Sequence, residues 1–162
     1  MTRFAIGALG VALSLAASVP ASAHDYSIGP LKVGHPWARA TPPAAKVGGA
    51  YLRIENAGRM PDRLIGGSTE AAARIEIHES SLIDGIMRMR ERTDGVIVPA
   101  GDDVEFKPGG LHLMLVDLKA PLRLGDMVKA TLSFEKAGQI DVEFQVQGAG
   151  TPQATATDHS GH

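Results

Sequence analysis

The sequence predicts an all-β domain, a sandwich or barrel of about ten short strands. Three observations carry that expectation. Polar and apolar residues alternate in short runs, turn-forming residues interrupt those runs about every ten positions, and helical periodicity is hard to find beyond residue 23.

In chain order, the first run covers 31–38 and ends at a loop over 40–49, where Pro42 and Pro43 lack the N–H a ladder needs. The next covers 50–55 and stops at Asn56-Ala57-Gly58. Runs at 62–65 and 74–79 follow. In the second of these Ile75 and Ile77 form the core set, leaving Arg74, Glu76 and His78 on the other face. Asp84-Gly85 signals a turn into 86–91, where Met87 and Met89 share a face opposite Arg88 and Arg90. Asp94-Gly95 opens the run 95–98, and Pro99-Ala100-Gly101 separates it from 104–106. Lys107-Pro108-Gly109-Gly110 then leads into 111–116, in which Leu111, Leu113 and Leu115 face the core while His112 and Met114 face out together. A short helical turn is expected near 118–124, before the last runs at 128–134 and 140–146.

Both ends differ from this pattern. Arg3, an apolar run from Phe4 to Ala17 and Ala21-Ser22-Ala23 make a secretory signal, expected to be cleaved after Ala23. The apolar run is shorter than the ~20 residues a bilayer span requires, so no stable membrane insertion is expected. The expected organisation is a signal peptide over 1–23, a β-sandwich domain over 24–147 and a flexible tail over 148–162, made of Gly, Thr, Ala, Gln and Ser with no large apolar side chain. The expected localisation is export, to the periplasm. Removing the signal takes away one basic residue and no acidic one, leaving 15 Lys+Arg against 18 Asp+Glu, a charge of -3. Such a balance offers no footprint for nucleic acid.

Cysteine is absent. An exported domain without disulfides rests on its core alone, and thiol redox chemistry, a cysteine nucleophile and a His, His, Cys copper centre are all excluded. What remains is imidazole and thioether: His78, Met87, Met89, His112 and Met114. A lone exposed histidine is ordinary surface and a lone methionine fills core gaps. Two histidines and two or three methionines off the core face of strands, within 37 residues from His78 to Met114, form a soft donor set that suits Cu(I) far better than zinc, magnesium or calcium. Both histidines are expected on the solvent side of their strands.

The spacing of these donors resembles that of the periplasmic Cu(I) chaperones called PCuAC. Their signature is a His, ten residues, a Met, about twenty-one residues, then His-x-Met. Here ten residues separate His78 from Met89 and twenty-two separate Met89 from His112-x-Met114, one longer in a turn-rich stretch. Trp37-Ala38-Arg39-Ala40-Thr41-Pro42-Pro43, Val98-Pro99-Ala100-Gly101 and Phe134-Glu135-Lys136-Ala137-Gly138 also read like that family. The resemblance implies a cupredoxin-like Greek-key β-sandwich. It implies Cu(I) held by His78, Met89, His112 and Met114, and delivery of copper to the copper centres of cytochrome c oxidase or to another copper chaperone. Where the family often has a Met soon after the first His, this chain has Glu79, Ser80 and Ser81, so Met87 is the nearby reserve thioether.

Weaker donors sit at the chain ends. His24 would become the mature N-terminus, whose amine and imidazole can chelate Cu(II), and His159 and His162 are the metal-capable groups of the tail, so an auxiliary Cu(II) site is expected there. Two other readings use the same residues. One is an oxidative copper enzyme built on His24 and a second histidine such as His35; the other is a metal-free interaction sandwich. The donor cluster favours a carrier, not an enzyme.

Overall fold

The computed structural model describes residues 25–148, and all of its regular structure is β. Eleven strands occur in chain order: β1 (Tyr26–Ile28), β2 (Leu31–Arg39), β3 (Val47–Asn56), β4 (Asp62–Thr69), β5 (Ala72–Ile83), β6 (Ile86–Glu91), β7 (Val96–Val98), β8 (Asp103–Phe106), β9 (Leu111–Leu118), β10 (Met127–Phe134) and β11 (Gly138–Gln147). Each anticipated strand is present. The addition is β1, a three-residue strand on the edge of β2, too short to show alternation. β3 begins at Val47 and so shortens the expected loop over 40–49. The expected helical turn near 118–124 is corrected: only bends and a tight turn occur there. Pro121 and Gly125 account for this, since the first lacks an N–H donor and the second has φ 90°.

Pairing runs β2-β11-β10-β4-β5-β9-β3, and β3 pairs back onto β2, so seven strands close a ring. β1, β6, β7 and β8 hang on that ring as outer partners of β2, β5, β4 and β3. Closure leaves few open edges on which another chain could add a strand. Inside lie Val33, Ile54, Leu64, Val98, Leu113 and Leu132, each with none of its surface exposed. Burying each such side chain contributes roughly 1.5–3 kcal/mol. Asp84 and Gly85 both have positive φ, the backbone of the tight turn that their sequence signals between β5 and β6.

Two polar side chains anchor loops inside this barrel. Asn56 donates from Nδ2 to the carbonyls of Met60 and Val98 and accepts on Oδ1 from the Gly58 N–H. Asp62, 6% exposed, accepts backbone N–H groups from Arg63 and Lys136 on Oδ1 and from Ala137 on Oδ2. Burial pushes its pKa up, but those three donors outweigh burial and hold it below the usual carboxylate range.

The expectations for the signal over 1–23, the cleavage point before His24 and the tail histidines His159 and His162 fall outside the described residues. Among the described residues no helix is long and apolar enough to cross a membrane.

Candidate metal centre

The centre is set by strand register. β5 and β9 pair antiparallel with His78 directly opposite His112 and Glu76 directly opposite Met114. Directly opposed residues share a face, so the four side chains stand together on the outer face of the barrel wall, behind which Ile75, Ile77, Leu113 and Leu115 are buried. The two imidazole rings lie 5.8 Å apart between centroids.

β6 completes the patch. It pairs with the far half of β5, placing Met89 opposite Ser80 and Met87 opposite Leu82. Ser80 is two positions from His78 and Leu82 is four, so all three share the face. At ~3.3 Å per residue Met89 is displaced roughly 7 Å along the strand from His78, and Met87 roughly 13 Å. The register therefore brings Met89 nearer than Met87. Both remain about half exposed, at 54% and 58%.

The hydrogen bonds of each imidazole leave one ring nitrogen available. His112 Nδ1 lies 2.9 Å from the Gly110 carbonyl and donates to it, which leaves the Nε2 lone pair free. The same carbonyl accepts the Ser80 N–H, fastening the turn over 107–110 to β5. His78 Nε2 lies 2.8 Å from Glu76 Oε2 and donates there; its Nδ1 is buried with no hydrogen-bond partner. A buried acceptor without a donor is costly for structure alone, whereas a carboxylate orienting a histidine whose other nitrogen is free is the usual support of a metal ligand. Glu76 is itself held by Arg74. Bonds from His78 first and Arg74 second keep its carboxyl below the ordinary range, against the opposing effect of burial.

One expectation needs correcting. His112 occupies the outer face as alternation requires, yet it is only 7% exposed rather than wet. It lies at a cavity of about 300 Å³ whose walls include Arg39, Tyr51, Ser80, Pro108 and Met114. Tyr51, remote in sequence, and Pro108 and Gly109 of the turn just before β9 line that space with it. Glycine makes room: a Cβ on Gly49, which pairs with Met114 across β3 and β9, would stand 2.7 Å from the Tyr51 hydroxyl. Tyr51 in turn stacks on Trp37 with ring centroids 4.4 Å apart.

His35 is exposed, has φ 49° and sits where the β2–β3 register shifts, which marks it as part of a bulge. Sequence reasoning missed Glu76 as the partner of His78, although its position two residues earlier on the same face was a usable signal. It also assigned no part to Arg39 and Tyr51. Among the described residues no three of His, Cys, Asp and Glu converge as a metal site. The soft donors beside the two histidines on this face are the thioethers of Met89 and Met114.

The closed barrel is similar to solved PCuAC domains. The copper-bound PCuAC domain from PmoF2 superposes with a TM-score of 0.67 at 30% identity, over 77% of this chain and 98% of that one. The apo PCuAC domain from PmoF1 does so with a TM-score of 0.66 at 31% identity, over 77% and 99%. The chain belongs to the LpqE-like family, described as "Putative lipoprotein LpqE-like", whose model matches residues 31–146. A relative from Leifsonia xyli subsp. xyli, named as a lipoprotein (Lxx21020), is 30% identical over 142 residues, 88% of this chain and 83% of the relative.

Proposed function

We propose that this protein is a periplasmic Cu(I) carrier that binds one ion through His78, Met89, His112 and Met114 and hands it to an acceptor. One observation carries the reading: the β5–β9 register pairs two histidines, each with one ring nitrogen tied back and the other unpartnered, beside an outward thioether. Imidazole and thioether are neutral, so they hold Cu(I) without the added negative charge of thiolates. Their bonds can be exchanged singly with an acceptor's ligands, and the ion keeps its oxidation state throughout. The half-exposed Met89 is the natural first ligand to leave. The copper-bound PmoF2 domain supports copper as the cargo.

The acceptor in this reading is a copper centre of cytochrome c oxidase or another copper chaperone. The lipoprotein naming of the family and of the Leifsonia relative supports export. These 162 residues contain no cysteine, so they offer no thiol for lipid attachment. The same reading keeps a signal over 1–23, a domain over 24–147 and an auxiliary Cu(II) site built from His24, His159 and His162. It also keeps the cupredoxin-like Greek-key sandwich as the finer description of the closed sheet.

The test is titration of the reduced protein with Cu(I) against a competing chelator, with X-ray absorption to count nitrogen and sulfur neighbours. One ion with mixed N and S donors is expected. An ion with oxygen neighbours only, or no retention against the chelator, overturns the proposal.

A further inference from the structure

Arg39 closes β2, where it pairs with Gln147 of β11, and lines the cavity that holds His112 and Met114. Its Nε is buried and donates to nothing. No lining residue of that cavity is acidic, and Arg39, half-buried as a residue, is the one permanently charged side chain among them. Leaving a buried charged donor unpaired costs more than the ~1–3 kcal/mol of a neutral one, and a guanidinium edge offers parallel N–H groups matched to the two oxygens of a carboxylate. The hydroxyl-bearing side chains of Tyr51 and Ser80 line the same space. Its volume, about 300 Å³, is at the small end of ligand sites.

We propose that this cavity binds a small carboxylate on the Arg39 guanidinium, with Tyr51 and Ser80 as hydroxyl donors, directly beside two of the proposed copper ligands. The anion neutralises the one cation that would otherwise repel an arriving Cu(I). Carboxylate and copper therefore bind with positive coupling, and the coupling is reciprocal. Only this coupling rests on the copper reading; the anion site stands on the geometry of the cavity.

The experiment titrates the copper-free full chain with sodium acetate at constant ionic strength, following the NMR resonances of Gly49, Tyr51, Ser80 and His112. Saturable shifts confined to these residues are expected. Arg39→Met, which keeps the alkyl chain, abolishes the saturation, and Tyr51→Phe, which keeps the stack on Trp37, weakens it. Shifts that never saturate in the natural protein, or that persist unchanged in Arg39→Met, overturn the site. Should Arg39→Met fail to fold, Tyr51→Phe and Ser80→Ala decide the matter, since unchanged saturation in both overturns it. Cu(I) competition with and without acetate then reads the coupling: a gain in affinity for the natural protein and none for Arg39→Met is expected, and an equal gain in both overturns it. Saturation by acetate in a protein that retains no Cu(I) leaves the anion site standing and removes the copper reading instead.

Discussion

Two buried polar clusters in this barrel differ in how completely their hydrogen bonds are satisfied. Around Asn56 and Asp62 both Asn56 side-chain atoms and both Asp62 oxygens have partners, and those partners are backbone groups of loops and strand ends. Around His78, His112 and Arg39 polar atoms are left over: His78 Nδ1 and Arg39 Nε are buried without partners. A satisfied cluster holds structure, because removing it exposes its donors and acceptors to a dry interior. A cluster with orphaned atoms is maintained at a cost to stability, and it makes physical sense only if something else completes it. The lesson is that orphaned atoms, more than burial, separate site from scaffold here.

The largest effect that would break this comparison is on copper. The double substitution His112→Ala with Met114→Ala is expected to lower Cu(I) affinity below detection while the barrel stays folded, since both side chains stand outside the Leu113 and Leu115 core. Circular dichroism with chelator competition checks both halves. Normal affinity in that variant would remove the site assignment. Asp62→Ala should do the reverse, costing about 3 kcal/mol of stability by leaving three N–H groups without their charged acceptor, and sparing Cu(I) affinity once folded. Urea unfolding measures the first and competition the second.

Much of this was legible in the sequence. Alternation marked ten of the eleven strands and put His78, His112 and Met114 on the outer face, because period-two patterning needs no knowledge of partners. Pairing of His78 with His112 was not legible, since 33 residues separate them and register depends on every strand between. The cavity at His112 is lined by Tyr51, far away in sequence, and the N–H partners of Asp62 include Lys136 and Ala137, more than seventy positions away. Arg39 reads as an ordinary surface cation until the emptiness of its surroundings in acidic groups is known.

Smaller effects sharpen the picture within the proposed copper cluster. Glu76→Gln keeps the shape but weakens the bond that orients His78, and a loss of about 10–100-fold in Cu(I) affinity is expected, as for other partners of metal-bound histidines. An unchanged affinity would mean that His78 does not bind through Nδ1. Met89→Leu should cost more affinity than Met87→Leu, because Met89 pairs one row from His78 and Met87 two. A larger loss at Met87 would reverse the assignment and mean that the β5–β6 hairpin folds over when copper binds.

The smallest expected effect separates the two clusters by pH. Asp62 has a folded pKa held below its ordinary value, so its contribution to stability is fully present above the unfolded value of ~3.9 and is lost as pH falls through the lower folded value. Glu76 and Glu79 are also depressed, the latter by Arg90 and then Arg92, so the natural protein loses stability in acid from several groups at once. The difference in urea midpoint between the natural protein and Asp62→Asn isolates one of them. It should stay constant from pH 7 to about pH 5 and shrink below about pH 4. Copper release should come earlier in the same titration, because a protonated imidazole cannot donate to a metal and thioethers do not titrate. A stability difference that shrinks together with copper release, at the same pH, would tie Asp62 to the His78 and His112 cluster and erase the distinction between scaffold and site.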